Sequence, residues 1–255
     1  MRAAVLALLV AAAPLLAEDA APSPLAPLTK IAGQLDKGIV DFLGGTAAKD
    51  AFSPWMAEAK DEAQLRAALK DAGITQATCM GFELELVFTK GDKPVYYLRT
   101  FVCANAANAT LMAIKGKVAS DGDDYLVKTS TPREGYVDEL APFGEATDAL
   151  LAALKGDGWK DLPFVDPDAL LKGITFDEVK KEIAGSVQEG KAGLQAVHDA
   201  LGKLDSDGVR VRLDDMSFFG YGADGKGLGV LRCGFRPGDK GKVLISLDKV
   251  KPFPK

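Results

Sequence analysis

Between Thr78 and Asn105 the chain reads TCMGFELELVFTKGDKPVYYLRTFVCAN, a stretch that constrains the fold more than any other. Phe82, Leu84, Leu86 and Phe88 alternate with Glu83 and Glu85. A period of two puts the apolar side chains on one face of a half-buried strand and the carboxylates on the other. Lys90-Gly91-Asp92 then supplies a turn whose glycine accepts positive φ, and Val95 to Val102 is a second β-rich run. If the turn is centred on Gly91, opposite residue numbers sum to 182. Leu84 then faces Leu98, Leu86 faces Tyr96, Glu83 faces Arg99 and Cys79 faces Cys103. One register that matches apolar to apolar and charge to opposite charge is favourable across a strand pair. It predicts a Cys79–Cys103 disulfide at the open end of the hairpin, provided the compartment is oxidising.

The N-terminus points to such a compartment. Met1-Arg2 is a short positive start, Ala3 to Leu16 is apolar throughout, and Ala17 precedes Glu18-Asp19. This is the layout of a secretory signal peptide over residues 1–17. Its apolar run is short for a membrane span, and no later stretch is apolar enough for one. The expectation is an exported protein, periplasmic or extracellular, with no transmembrane segment once the signal is removed. The formal net charge is −5, and losing Arg2 with the leader takes it to about −6. A chain this acidic lacks the phosphate-facing cations that nucleic-acid binding needs. The C-terminal residues 201–255 carry 11 basic and 7 acidic side chains, a modest excess that a solvated strand face explains.

Residues 18–27 form an Ala/Pro-rich lead-in, and residues 28–255 form the globular region. Thr29 reads as the cap of a first helix carrying Ile31, Leu35, Ile39 and Phe42, stopped by Gly44-Gly45. Ser53-Pro54 and Asp61-x-x-Gln64 mark further helical starts, and Leu65, Ala68, Leu69 and Ala72 form the apolar side of a segment ending at Gly73. After the hairpin, Thr110–Val118 and Tyr125–Ser130 read as two more strands, which makes a four-stranded meander. Glu145 to Leu154 is helical, and Trp159 and Phe164 plug the core from a connector. Thr175-Phe176-Asp177-Glu178 has the form of a capping box that opens a long amphipathic stretch through Leu204. Gly185, Gly190 and Gly193 suggest a kink or break near Gly190, or close packing against the sheet.

Val209 to Val250 is again β. Asp224-Gly225 is a two-residue hairpin signal that sets Phe218 against Leu231 and Met216 against Cys233. The fold class is therefore α+β: two antiparallel β-meanders of about four strands each, separated and flanked by amphipathic helices. Met80-x-Phe82 is matched by Met216-x-Phe218, and Leu98-Arg99 by Leu231-Arg232. Two similar halves, 28–143 and 144–255, are one reading; two unrelated meanders of like composition are the other.

Catalytic material is sparse. His198 is the single histidine and lies one residue off the apolar seam of the long helix, so it reads as structural; no G-x-S-x-G elbow offers it a nucleophile. Of three cysteines, two are assigned to the bridge, and Cys233 reads as a buried thiol. Asp121, Asp123 and Asp124 lack the spacing of a calcium loop and read as a polar turn; Asp214-Asp215 reads as a strand-end turn. Asn108-Ala109-Thr110 matches a glycosylation sequon of a kind frequent by chance. Glu83 and Glu85, about 7 Å apart along a strand, are a spacing compatible with paired-carboxylate hydrolysis, but also with a solvated, arginine-paired face. No cofactor or metal is implied. The leading expectation is a non-enzymatic binding or protein-interaction module for a small apolar ligand or an envelope protein; the alternative is a carboxylate-dependent hydrolase.

Overall fold

The computed structural model describes residues 23–43, 66–132, 141–171, 174, 176–237 and 243–253. The signal peptide, Gly44-Gly45, Ser53-Pro54, the Asp61–Gln64 box and Thr175 lie outside them. The described chain is α+β, with helices packed on one antiparallel sheet. The strands are β1 (Gln76–Lys90), β2 (Lys93–Ala104), β3 (Ala109–Val118), β4 (Thr131–Pro132), β5 (Gly208–Tyr221), β6 (Gly227–Pro237) and β7 (Val243–Pro252). The four helices of most consequence are α1 (Leu28–Leu43), α2 (Asp124–Thr129), α3 (Ala141–Lys155) and α4 (Asp177–Gly202).

The strand order is β3-β2-β1-β5-β6-β7, with β4 pairing on β5. Each β block is thus a three-stranded meander. The two blocks join edge to edge through the antiparallel β1–β5 pair, giving one sheet where the sequence suggested two separate meanders. The second hairpin has the register expected of an Asp224-Gly225 turn. Gly225 takes φ +77°, and Phe218 pairs with Leu231 and Met216 with Cys233.

The first hairpin slips by two residues. Its turn is Gly91-Asp92, with Lys90 opposite Lys93, and a bulge at Phe88/Thr89 adds a second step. Leu86 therefore faces Leu98, Glu85 faces Arg99 and Gly81 faces Cys103. A slip of two preserves the faces, which is why apolar still meets apolar. It carries Cys79 beyond the end of β2. A second bulge, between Cys79 and Gly81 on the β5 side, turns Cys79 into the main core with Phe82 and Phe218, whereas Cys103 packs with Val165 and Val187. Cys79, Cys103 and Cys233 are all free and buried, so the expected disulfide is not formed.

Three further expectations are corrected. Residues 124–129 form α2 instead of a strand; the short apolar run Tyr125-Leu126-Val127 is ambiguous by periodicity, and Leu126 is its one buried residue. Asp214 and Asp215 lie within β5 at a bulge between the Phe82 and Leu84 pairings, not at a strand end. The long helix α4 is continuous over 26 residues, its N-cap being Phe176, without a side-chain cap bond. Gly190 explains its path: a Cβ there would stand 3.3 Å from Ile114 N and 3.5 Å from Ala113 Cα, so the helix backbone rests on β3, the end strand.

The main core lies on one sheet face. Phe82, Leu84, Leu86 and Phe88 pack with Leu98, Phe218 and Leu231 beneath Ile31 and Leu35 of α1, Phe143 and Leu150 of α3, and Leu194 and Leu201 of α4. The first half of α4 belongs to the other face, where Val179 and Ile183 pack with Phe219, Tyr221 and Val230. The helix thus changes face along the β3 edge. Among the described residues no helix is long and apolar enough to cross a membrane.

Candidate functional site: a buried ion network and an aromatic cleft

Glu85 sits in the middle of the sheet with an arginine directly opposite on each side, Arg99 on β2 and Arg212 on β5. Its side chain is 2 % exposed. Arg212 Nη1 donates to Glu85 Oε2 at 2.8 Å. Arg99 Nε lies 2.7 Å from Glu83 Oε1 and 3.8 Å from Glu85 Oε1. The two acids of the sequence pattern are therefore brought together, but with two arginines interleaved. α2 roofs this network: the Arg212 guanidinium stands 6.0 Å from the Tyr125 ring centre. Arg210 donates from Nη2 to Ser130 O at 2.7 Å and from Nε to Ser130 Oγ at 3.0 Å, holding the end of α2 to β5. Two carboxylates balanced by two guanidiniums form a structural charge lattice; a paired-carboxylate mechanism needs one acid kept protonated.

The cysteines are no more suited to chemistry. Burial pushes the Cys103 thiol up to about 12. Cys79 is raised well above the ordinary thiol value, first by burial and then by the nearby Asp36 carboxylate. Reactive thiols need the opposite, an accessible and electropositive setting. Asp36 reaches from α1 to accept the Cys79 backbone N–H at the bulge; burial raises its pKa above the ordinary carboxylate value despite that bond.

His198 anchors a different feature. Its Nδ1 lies 2.7 Å from Leu154 O near the C-terminus of α3. A carbonyl only accepts, so Nδ1 carries the proton. The imidazole stacks on Trp159, with ring centres 5.2 Å apart and planes at 24°. Trp159 belongs to a short 3₁₀ turn, Gly158–Asp161, that follows α3 after Gly156. The chain then runs extended and docks on β3: Leu111 N–H donates to Pro163 O at 2.7 Å, and Val165 N–H to Leu111 O at 2.8 Å. This fixes Phe164 beside α4, where Gly190 leaves room for it; a Cβ at that position would meet the Phe164 ring at 3.0 Å.

Between this connector and α4 lies an open cleft of about 490 Å³, lined by Trp159, Lys160, Leu162, Phe164, Lys191 and Leu194. Leu162 and Leu194 are buried and form its base; Trp159 and Phe164 are half-buried walls; Lys160 and Lys191 are exposed at the rim. Trp159 and Phe164 pack against the main core from the connector, as the sequence suggests. Their partnership with Lys191 and Leu194 is invisible in the sequence, because α4 reaches them only through the tertiary fold.

Asp123 accepts from Ser120 N–H and Oγ at 2.8 and 2.9 Å, closing the turn before α2. Asn108 is exposed in the β2–β3 turn. Cys233 lies in the main core. Among the described residues no cluster of three or more His, Cys, Asp or Glu is placed to hold a metal ion. Comparisons with family models, with characterised proteins and with solved structures give no match.

Proposed function

We propose that the chain is an exported, non-enzymatic binding protein that takes a small, largely apolar molecule in the Trp159–Phe164 cleft. The observation that carries this reading is the cleft itself. At about 490 Å³ it falls in the range of small-molecule sites, which are concave, mostly apolar and largely preformed. Its walls are also held from behind: Trp159 is braced by His198, and Phe164 is fixed by the connector's bonds to β3. Preformed walls lower the ordering cost of binding. The hydrolase alternative is disfavoured because Glu83 and Glu85 are bound to Arg99 and Arg212 rather than facing this cleft. Export rests on the Met1–Ala17 leader.

Two measurements test the proposal. An intact mass beginning at Glu18, for protein taken from its own compartment, is expected if the leader is cleaved; a chain retaining Met1–Ala17 in the cytoplasm would overturn export. The neutral fluorophore N-phenylnaphthylamine should bind saturably to the native protein and be displaced by Lys191→Trp, which fills the cleft from an exposed position. Absence of saturable binding would overturn the cleft as the ligand site.

A further inference from the structure

We infer that the ligand of this cleft is an anion: a molecule with a flat or acyl apolar body and one terminal carboxylate, sulfonate or phosphate. The inference rests on the cleft being the binding site and adds the chemical class of its occupant. Two cations stand at the rim. Lys160 Nζ lies 5.5 Å from the Trp159 ring centre, and Lys191 Nζ lies 5.6 Å from that of Phe164. Each ammonium is thus held over one aromatic wall. Cation–π contact at an exposed site contributes on the order of 0.5–1 kcal/mol, enough to bias the lysines toward the cleft.

Neither lysine forms an ion pair among the described residues, although the surroundings offer acids. Glu189, close to Lys191 on α4, is bound to Lys115 at 2.7 Å. Asp199, about two turns beyond Lys191, accepts from Gln195 Nε2 at 2.8 Å. Asp161, beside Lys160, is exposed on the 3₁₀ turn. In a chain whose formal net charge is −5, two lysines without an ion pair among the described residues frame this one cleft. An apolar body would rest on Leu162, Phe164 and Leu194, and its head group would lie between the two ammoniums, where charge-assisted hydrogen bonds are the strong ones.

The test compares two probes with the same ring skeleton: neutral N-phenylnaphthylamine and anilinonaphthalene sulfonate. The full mature chain and its Lys160→Gln/Lys191→Gln variant are titrated with each, after circular dichroism has shown that the variant is folded. Both substitutions are exposed and leave the core untouched. The expected result is that the sulfonate binds the natural chain roughly tenfold more tightly than the neutral probe. The double variant should abolish that advantage, lowering sulfonate affinity far more than neutral-probe affinity. Added salt should weaken only the sulfonate. Equal affinity for the two probes, or equal loss of both in the double variant, would overturn the anion while leaving the apolar cleft standing. Failure of both probes to bind, or binding of either that survives Lys191→Trp, would overturn the cleft itself.

Discussion

Glu85 has its two nearest cations on neighbouring strands and 2 % of its side chain exposed. Removing one partner of such a pair leaves a buried charge uncompensated, which costs about 3–5 kcal/mol, whereas replacing the pair with apolar residues is often neutral. Arg212→Ala should therefore lower the urea midpoint sharply, and a Glu85→Leu/Arg212→Met double variant should recover most of the loss. If Arg212→Ala changes stability by less than about 1 kcal/mol, the network contributes little. The cysteines give a second residue-scale prediction. Thiol titration should find all three cysteines free in denaturant and nearly inert in the folded chain; finding one thiol would restore the bridge. Because folding raises the Cys103 thiol from 9.0 to about 12, the folded chain holds protons in that interval that the unfolded chain has released. Stability should be unaffected by these thiols below pH 9 and should fall as pH rises from about 9 toward 12. A flat stability profile across that window would contradict the burial of Cys103.

At the scale of elements, α4 concentrates the test. Gly185 has no neighbour within 4 Å of a built Cβ, whereas Gly190 has the β3 backbone at 3.3 Å. Gly185→Ala should stabilise the protein by up to about 1 kcal/mol through helix propensity. Gly190→Ala should cost about 1–3 kcal/mol by pushing the helix off β3. Similar effects at both positions, read from thermal midpoints, would mean that the glycines serve the helix alone and not the contact. The same contact explains why the sequence pattern suggested a break. Three glycines in an amphipathic stretch lower helix propensity alike wherever they stand; which of them faces a strand is set by a segment some 76 residues away, Ile114 against Gly190.

For the whole molecule, the decisive feature is the β1–β5 pair. It runs through the centre of the sheet, and each strand is the inner edge of its own meander. One charge contact recurs on the two sides of this pair. Arg99 bonds Glu83 on the strand before it, and Arg232 lies 4.0 Å from Asp215 in the corresponding place. Helices from both parts of the sequence pack on this one sheet, α1 on β1 and α4 on β3. Separating the halves would expose two long unpaired edges lined with core residues, a recipe for aggregation. Residues 28–143 and 144–255 expressed apart should therefore be insoluble or unfolded, and the intact chain should unfold in one transition by fluorescence and circular dichroism alike. Two separable transitions would mean that the halves are independent domains.

What the amino-acid sequence settled by itself was local: the alternation of β1, the turns at Gly91 and Gly225, the apolar seams of α1, α3 and α4, and the α+β class. These follow from side-chain period and turn chemistry, which act over a few residues. The two-residue slip of the first hairpin lay beyond it. Registers two apart keep the same faces, so periodicity is blind to the difference, which comes from the Gly91-Asp92 turn and the bulge at Phe88/Thr89 between β1 and β2. Only the tertiary structure decided that the cysteines part to different clusters, that Glu83 and Glu85 are neutralised from two other strands, and that a connector aromatic and a helix lysine share a cleft. Each of these is a meeting of residues distant in the chain, whose contact is paid for by the burial of the whole core and is written in no single segment.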